Sequence, residues 1–148
     1  MKAIFYTSVA LAALTAPVGA QSLRLEDESV VASATRLPTP VAQVGSSVTV
    51  ITAATIESRQ QRSLADVLRA VPGLNIVQTG GAGGQTSLFL RGANPNQTKL
   101  LLDGIDIADP STPSGAADIS KLLAGDIAKV EVLRGPQGAL YGSDAIGG

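Results

Sequence analysis

The sequence has no cysteine, no histidine and no tryptophan, and it contains only two tyrosines and two phenylalanines in 148 residues. Without cysteine or histidine there are no ligands for a Cys/His zinc site, no base for a Ser-His-Asp triad and no thiol nucleophile. Phe89 and Tyr141 are the only aromatic residues beyond the first twenty positions, too few for a base-stacking platform. We therefore expect no catalytic residue, no metal site and no cofactor.

Charge of either sign is also scarce. The formal net charge is -1 at pH 7 and the pI is near 5.3, which gives no electrostatic reason for binding nucleic acid or an anionic membrane surface. The 45% of hydrophobic and 16% of charged residues are typical of a folded domain rather than a disordered tail.

The first twenty residues have the pattern of a secretory signal peptide. Lys2 supplies a positive charge, the run from Ala3 to Ala16 is mostly apolar, and Val18-Gly19-Ala20 puts small residues at a cleavage site. The alternative is a single membrane anchor, but fourteen residues are fewer than the roughly twenty that a spanning helix needs. We predict a signal peptide over residues 1–20 and a mature chain that starts at Gln21.

Residues 21–40 read as an extended, mobile segment, because Pro38 and Pro40 disfavour both a helix and a central strand. Within this segment, residues 28–32 are β-prone and flanked by acidic residues, so they could add as a strand to the sheet edge of another protein. The alternative is a linker that contacts nothing.

The folded part is predicted to begin near Gln43 with a strand, Ser47 to Ile51, followed by a short helix from Ala53 to Ser58 capped by Thr52. A second helix is expected after Ser63, which forms a capping-box pattern with Asp66. It carries one apolar stripe at helical spacing: Leu64, Val67, Leu68 and Val71.

Two further strands, Leu74 to Val77 and Ser87 to Arg91, flank a segment with four glycines in five positions. That composition predicts a loop with unusual backbone freedom, and it matches neither nucleotide-binding glycine motif. The loop is either an ordinary surface loop or one whose backbone approaches a ligand closely.

The last third of the chain combines a hairpin, a loop, a helix and a strand. Asp103-Gly104 is a strong hairpin signal, the segment from Ala108 to Gly115 is rich in small residues and proline, and Asp118 is expected to cap a helix from Ile119 to Leu123. A final strand is predicted from Ile127 to Leu133, with Val130 and Val132 on one face. Four acidic residues in this region could bind a cation, although turn and cap chemistry is the preferred reading: Asp103, Asp106, Asp109 and Asp118.

These elements predict a small α+β domain with a mixed sheet of about four short strands and two or three short helices. Three segments, "LADVLRAVPGLNI", "LFLRGANPNQTKLLLDGI" and "VEVLRGPQGALYGSDAIGG", resemble, in this order, the plug domain of TonB-dependent outer-membrane receptors. The resemblance covers residues 41–148. Within the family it is greatest to cobalamin (vitamin B12) importers, through the glycine-rich loop, "SGAADIS" and the closing "YGSDAIGG".

The resemblance implies that residues 41–148 are the plug and that a 22-stranded β-barrel, expected after "AIGG", is missing from this chain. It places a TonB-binding segment, the TonB box, at Asp27, Glu28, Ser29, Val30, Val31, Ala32, Ser33 and Ala34. It places ligand contacts in two apical loops, at Thr79, Gln85, Thr86, Ser87, Pro113, Ser114 and Gly115. Arg91 and Arg134 resemble plug arginines that pair with acidic residues of the barrel wall, the alternative being plain surface salt bridges. Without the barrel, both are expected to be exposed.

The function implied is active import without catalysis. The expected partners are TonB in the periplasm, the missing barrel, and cobalamin or an iron chelate (siderophore) as ligand; the expected location is the outer membrane, reached by export through the signal peptide. A free-standing periplasmic binding or signalling module with the plug fold is an alternative. A secreted hydrolase that uses Asp103 and Asp118 is disfavoured by the missing histidine and the few aromatic residues.

Overall fold

The computed structural model describes residues 30–81, 83–112 and 114–148. The predicted signal peptide and the first part of the extended segment, residues 1–29, lie outside the described residues. In the described part of the chain, no helix has both the length and the apolar character needed to cross a membrane.

The described strands and helices are short, as the sequence predicted. The strands are β1 (Val30–Val31), β2 (Thr39–Pro40), β3 (Ser47–Thr52), β4 (Leu74–Gln78), β5 (Thr86–Leu90), β6 (Leu101–Leu102), β7 (Ile105–Asp106) and β8 (Lys129–Arg134). The helices are α1 (Ala53–Ser58), α2 (Leu64–Arg69) and α3 (Gly138–Tyr141), with 3-10 turns at Val41–Gln43 and Pro95–Gln97. The predicted α+β class is confirmed.

The described strands pair as four separate two-stranded ladders, all antiparallel, and these ladders do not join into one sheet. Three ladders join neighbouring segments: β1 with β2, β4 with β5, and β6 with β7. The fourth joins β3 to β8, with Ser47 opposite Arg134. This long-range pair brings the two ends of the plug sequence together.

Two of the three predicted N-terminal caps are present, at Thr52 and Ser63, whereas the helix that Asp118 was expected to cap does not form. The side chain of Thr52 accepts a hydrogen bond from the amide of Thr55 at the start of α1. At the start of α2, the hydroxyl of Ser63 accepts from the amide of Asp66 at 3.2 Å and donates to the Asp66 carboxylate at 2.7 Å. Each cap satisfies an amide that the first helical turn leaves without a partner.

The core forms around the apolar stripe of α2. Val67 is 0% and Leu68 2% exposed, and they belong to one cluster with Ile51 of β3, Leu90 of β5 and Val132 of β8. The stripe predicted from helical spacing is therefore the face around which the core forms, because two of the four ladders, β3–β8 and β4–β5, contribute residues to its cluster.

The hairpin predicted at Asp103-Gly104 is confirmed. Leu102 pairs with Ile105 across the turn, and Asp103 and Gly104 both have positive φ values, 51° and 82°. Two successive positive φ values characterise a type I′ turn, which Asp-Gly favours.

One local prediction near the end of the chain was wrong, and one helix was not predicted. Ile119 to Leu123 forms a turn and not a helix. Leu123 pairs with Ser63 in an antiparallel bridge, and the Leu122 carbonyl accepts from the Leu64 amide. These long-range contacts hold the end of the segment against the start of α2 in a non-helical conformation. Conversely, α3 was not predicted, because its segment is rich in glycine, which has low helix propensity.

Candidate functional site

Part of the proposed TonB box is docked on the body of the domain. Val30 and Val31 pair with Pro40 and Thr39. The described part of the segment predicted to be extended, residues 30–40, here called the lead-in, therefore folds back on itself instead of running straight. Val31 is 0% exposed. Asp27, Glu28 and Ser29 of the predicted box lie outside the described residues.

Glu131 of β8 holds the residues that follow β1. Its carboxylate accepts hydrogen bonds from the amide of Ala32 at 3.1 Å, the amide of Ser33 at 2.9 Å and the hydroxyl of Ser33 at 2.6 Å. Lys129, two residues earlier on β8, lies 2.5 Å from this carboxylate and donates to the Val30 carbonyl at 2.8 Å. The segment is therefore held by two opposite charges from one strand.

The electrostatic environment of Glu131 favours its ionised form. Burial acts to raise the pKa of this carboxyl, but hydrogen bonds from Lys129 and from Ser33 outweigh that effect and leave the pKa below its ordinary value. The docked segment thus prefers the charged carboxylate.

The C-terminal helix provides a second contact with the lead-in. The Tyr141 hydroxyl donates to the Ser33 carbonyl at 2.7 Å. The Arg36 guanidinium lies 4.9 Å from the centre of the Tyr141 ring and donates to the Leu140 carbonyl at 2.5 Å. A cation above an aromatic ring is a favourable contact, so residues 30–36 touch both β8 and α3.

Four residues of this contact were not predicted from the sequence to be functional: Lys129, Glu131, Tyr141 and Arg36. The available signals were the charge at alternate positions of "KVEV" and the isolated tyrosine after it. Alternate positions of a strand share one face, but nothing in the sequence shows that this face receives residues some hundred positions earlier.

The glycine-rich loop between β4 and β5 is closed by backbone hydrogen bonds. The Thr79 amide donates to the Gln85 carbonyl, and the Gly84 amide donates to the Gly81 carbonyl, both at 2.9 Å. A Cβ on Gly84 would lie 2.0 Å from the Thr79 carbonyl oxygen. The loop can therefore close in this way only with glycine at position 84.

The predicted ligand residues of this first loop differ in accessibility. Thr79 and Gln85 are exposed and Ser87 is half-buried, whereas Thr86 is only 2% exposed. Thr86 has a structural contact, because its amide donates to Asp118 at 2.9 Å.

The second loop is a set of turns that ends beside a small cavity. Asp109 accepts from the Ser111 amide at 2.8 Å, and the Gly115 amide donates to the Thr112 carbonyl at 3.0 Å. Ser114 and Gly115 line a cavity of about 150 Å³, and Pro113 lies outside the described residues. Thr79, Gln85 and Ser87 are not among the residues that line it.

Asp106 and Asp109 stabilise turns, because each carboxylate accepts a hydrogen bond from the backbone amide two residues later. Hydrogen bonds from Lys99 and then from the Ala108 amide hold the pKa of Asp106 below its ordinary value, and the Ser111 hydroxyl and amide do the same for Asp109. In the described ranges, no group of three or more potential ligand side chains is placed to hold a metal ion.

The two Arg-Gly pairs are placed differently. Arg91 is exposed, as expected, with a φ of 54°. Arg134 is not, because it is half-buried and donates to the Thr49 hydroxyl at 2.6 Å and to the Pro72 carbonyl at 3.1 Å. The expectation of two exposed arginines is therefore wrong for Arg134, whose guanidinium links β8 to β3 and to the turn that follows α2.

The closing "AIGG" packs into the domain. The Gly147 carbonyl accepts from the Gly135 amide at 3.0 Å, and the Gly148 carbonyl accepts from the Lys99 amide at 3.0 Å. A Cβ on Gly147 would lie 2.8 Å from the Ala93 Cβ. Glycine allows this close approach of the last residues to both Arg-Gly turns.

Comparison with known proteins places this arrangement in a family. The sequence model described as TonB-dependent Receptor Plug Domain matches residues 40–148. The Vitamin B12 transporter BtuB of Vibrio vulnificus (strain CMCP6) is 44% identical over 144 residues, which cover 95% of this chain and 23% of that protein. The chain thus spans less than a quarter of the length of this relative.

Solved structures show the same similarity. The ferripyoverdine receptor of the outer membrane of Pseudomonas aeruginosa, bound to ferripyoverdine, aligns with a TM-score of 0.65 and 26% identity, covering 80% of this chain and 15% of that one. The ferric yersiniabactin uptake receptor FyuA of Yersinia pestis aligns with a TM-score of 0.52 and 31% identity, covering 70% and 16%.

Proposed function

The chain belongs to the family of TonB-dependent receptor plug domains, and from that premise we propose that it gates cobalamin uptake through an outer-membrane transporter. The observation that carries the proposal is the 44% identity to a vitamin B12 transporter over 95% of this chain. The identities to the two iron-chelate receptors are lower, 26% and 31%. No bond of the ligand is broken in this function, so it requires no catalytic residue.

An iron-chelate receptor is the second candidate. It is supported by structural similarity to a ferripyoverdine receptor over 80% of this chain. A plug similar to both kinds of receptor has a fold that serves more than one ligand, and the residues of the two apical loops would then discriminate between them.

In the proposed mechanism, ligand rests on the two apical loops. Exposed Thr79, Gln85 and Ser114 and half-buried Ser87 and Gly115 offer hydroxyl, amide and backbone groups to a large polar ligand. Thr86 and Asp118 join the stems of both loops. Through that link, contact with one loop could affect the other.

The proposed transport step begins with contact between TonB and residues 27–34. An extended segment offers unpaired backbone groups to a strand-adding partner. TonB would pull on this segment and displace or remodel the plug inside the barrel. Exposed Arg91 is the better placed of the two arginines to pair with an acidic residue of the barrel wall, since the guanidinium of Arg134 already has partners within the plug.

A chimeric receptor tests the proposed function. Residues 21–148 of this chain would replace the matching segment of the Vibrio vulnificus vitamin B12 transporter, in cells that lack a transporter of their own. We expect uptake of labelled cobalamin that depends on TonB, and uptake should be lost when residues 27–34 are deleted although surface binding persists. A chimera that assembles and takes up ferric siderophores but not cobalamin would establish the second candidate instead.

A further inference from the structure

We propose that Asp118 is a positioning residue that holds the two apical loops in a fixed relation, so that they offer one preformed surface to a ligand that contacts both. The first loop is residues 79–85 and the second loop is residues 108–115. The role in ligand binding rests on the function proposed above. The link between the loops is a property of this chain and can be tested without any ligand.

The two loops are linked at Thr86, the first residue of β5. The Thr86 amide donates to the Asp118 carboxylate at 2.9 Å, and the Thr86 carbonyl accepts from the Ile119 amide at 3.3 Å. Within the described ranges, these are the two hydrogen bonds that join residues 79–87 to residues 108–120. We call this pair of bonds the inter-loop link.

Thr86 is the only polar residue that is buried in the described part of the chain. A buried polar group costs free energy unless it is hydrogen-bonded. Each polar group of Thr86 has a partner, because its hydroxyl also donates to the Gly84 carbonyl at 3.0 Å. Thr86 therefore contacts the first loop through Gly84 and the end of the second loop through Asp118.

Asp118 is held in place by its neighbours in the chain. Its carboxylate accepts from the Ser120 amide at 3.0 Å and from the Ser120 hydroxyl at 2.9 Å. Ile119, the residue between them, is 0% exposed and belongs to the core cluster together with Leu88 of β5. The acceptor for the Thr86 amide is therefore fixed to the core, three residues beyond the end of the second loop.

Each loop is also closed by a hydrogen bond of its own. In the first loop the Thr79 amide donates to the Gln85 carbonyl, and in the second loop the Gly115 amide donates to the Thr112 carbonyl. Two closed loops joined at one point form a preformed surface. Such a surface binds ligand more tightly, because less conformational entropy is lost on binding.

A purely structural role for Asp118 makes a different prediction. Its loss would then lower the stability of the domain, and the effects of substitutions in the first loop and at Asp118 would add. The inter-loop link instead predicts that a change in the first loop reaches the second loop only while the acceptor at position 118 is present.

The first experiment is a double-mutant cycle on the full chain without ligand. Gly84→Ala perturbs the first loop, because the new Cβ would lie 2.0 Å from the Thr79 carbonyl oxygen, and amide hydrogen exchange at Gly115 reports on the second loop. We expect Gly84→Ala to accelerate exchange at Gly115 several-fold in the wild-type background and to add nothing in the Asp118→Ala background. Gly81→Ala is the matched control, because a Cβ there meets nothing within 4 Å, and it should leave exchange at Gly115 unchanged.

Asp118→Asn separates the hydrogen bond from the charge. The side-chain oxygen of asparagine can still accept from the Thr86 amide, so the response of Gly115 to Gly84→Ala should persist in this background. Additive effects of Gly84→Ala and Asp118→Ala on exchange at Gly115 would overturn the inter-loop link.

Exchange at Val48 and Val50 of β3 shows whether each variant keeps the β3–β8 ladder. If Asp118→Ala does not fold, Thr86→Val replaces it in the cycle, because it removes the hydroxyl that contacts the Gly84 carbonyl. Thr86→Ser keeps that hydroxyl and should keep the response. A response that is the same in Thr86→Val and in the wild-type background would contradict the inter-loop link.

The second experiment measures the role in ligand binding, in the chimeric receptor described above. Asp118→Ala should weaken the binding of labelled cobalamin about tenfold, whereas Asp118→Asn should stay within about twofold of the unmodified plug. Asp126→Ala removes an exposed carboxylate elsewhere and should leave the affinity unchanged. Unchanged affinity in Asp118→Ala would overturn the positioning role.

The proposed function can fail separately from this inference. A chimera that reaches the cell surface but binds no cobalamin with any plug variant would refute the proposed function. The double-mutant cycle requires no ligand, so non-additive exchange at Gly115 would still support the inter-loop link.

Discussion

Thr86 and Asp118 lie 32 positions apart and are joined by a hydrogen bond of 2.9 Å from the Thr86 amide to the Asp118 carboxylate. Asp118 also accepts from the amide and hydroxyl of Ser120. Burial acts to raise the pKa of Asp118, but these hydrogen bonds lower it overall. One carboxylate thus fixes the stem of the first apical loop to the end of the second.

The first prediction concerns this bond. Asp118→Ala removes the acceptor of an amide that belongs to a buried residue, and an amide left unpaired in such a place costs about 1–3 kcal/mol. We expect the free energy of unfolding, measured by urea denaturation, to fall by that amount. Asp126→Ala is the control, since Asp126 is exposed. Equal effects of the two substitutions would show that the bond contributes nothing specific.

The second prediction concerns closure of the glycine-rich loop. In Gly84→Ala the new Cβ would lie 2.0 Å from the Thr79 carbonyl oxygen, which forces the backbone to move and should cost about 1–3 kcal/mol. Exchange of the Thr79 and Gly84 amides should accelerate. Gly81→Ala is the matched control, because a Cβ there meets nothing within 4 Å. If both variants keep slow exchange, position 84 does not require glycine.

The third prediction concerns the core. Leu68 is 2% exposed on the inner face of α2, whereas Leu123 is 66% exposed. Leu68→Ala should lower the free energy of unfolding by about 2–5 kcal/mol, because it removes buried methyl groups and leaves a cavity. Leu123→Ala removes the same atoms and should change stability by about 0.5 kcal/mol or less. Thermal or urea unfolding of the two variants provides the comparison.

Sequence reasoning succeeded where the signal was local. The caps at Thr52 and Ser63, the stripe of α2 and the Asp103-Gly104 turn all depend on residues within a few positions of one another. The plug family was also identifiable, because three separated motifs occur in one order.

Sequence reasoning failed where distant residues decide the local structure. The helix predicted at Ile119 to Leu123 is absent, and Leu123 pairs instead with the distant Ser63 in an antiparallel bridge. The contact of Glu131 with Ala32 spans 99 positions, and no periodicity in one sequence reports such a pair. The half-burial of Arg134 likewise depends on Thr49, 85 positions away.

The last prediction concerns pH. The pKa of Glu131 is lowered in the folded chain, so its contribution to docking of the lead-in is complete above its ordinary pKa of about 4.3 and is lost as the pH falls through the lower folded value. Lys129 provides the positive charge next to this carboxylate, and Ser33 provides the neutral donors. The Tyr141 hydroxyl and the Arg36 guanidinium contact the same segment from α3 and from the lead-in itself.

Carbon NMR of the Glu131 carboxyl group can follow this titration directly. We expect a midpoint below about 4.3, with the Ser33 amide signal changing over the same pH range as the lead-in is released. Lys129→Ala should raise the midpoint, because it removes the strongest of the contacts that favour the carboxylate, and Ser33→Ala should raise it less. Lys121→Ala removes an exposed ammonium group elsewhere and serves as the control. A midpoint that stays the same in Lys129→Ala, or a Ser33 amide signal that does not follow the carboxyl titration, would show that the charge of Glu131 does not hold the lead-in.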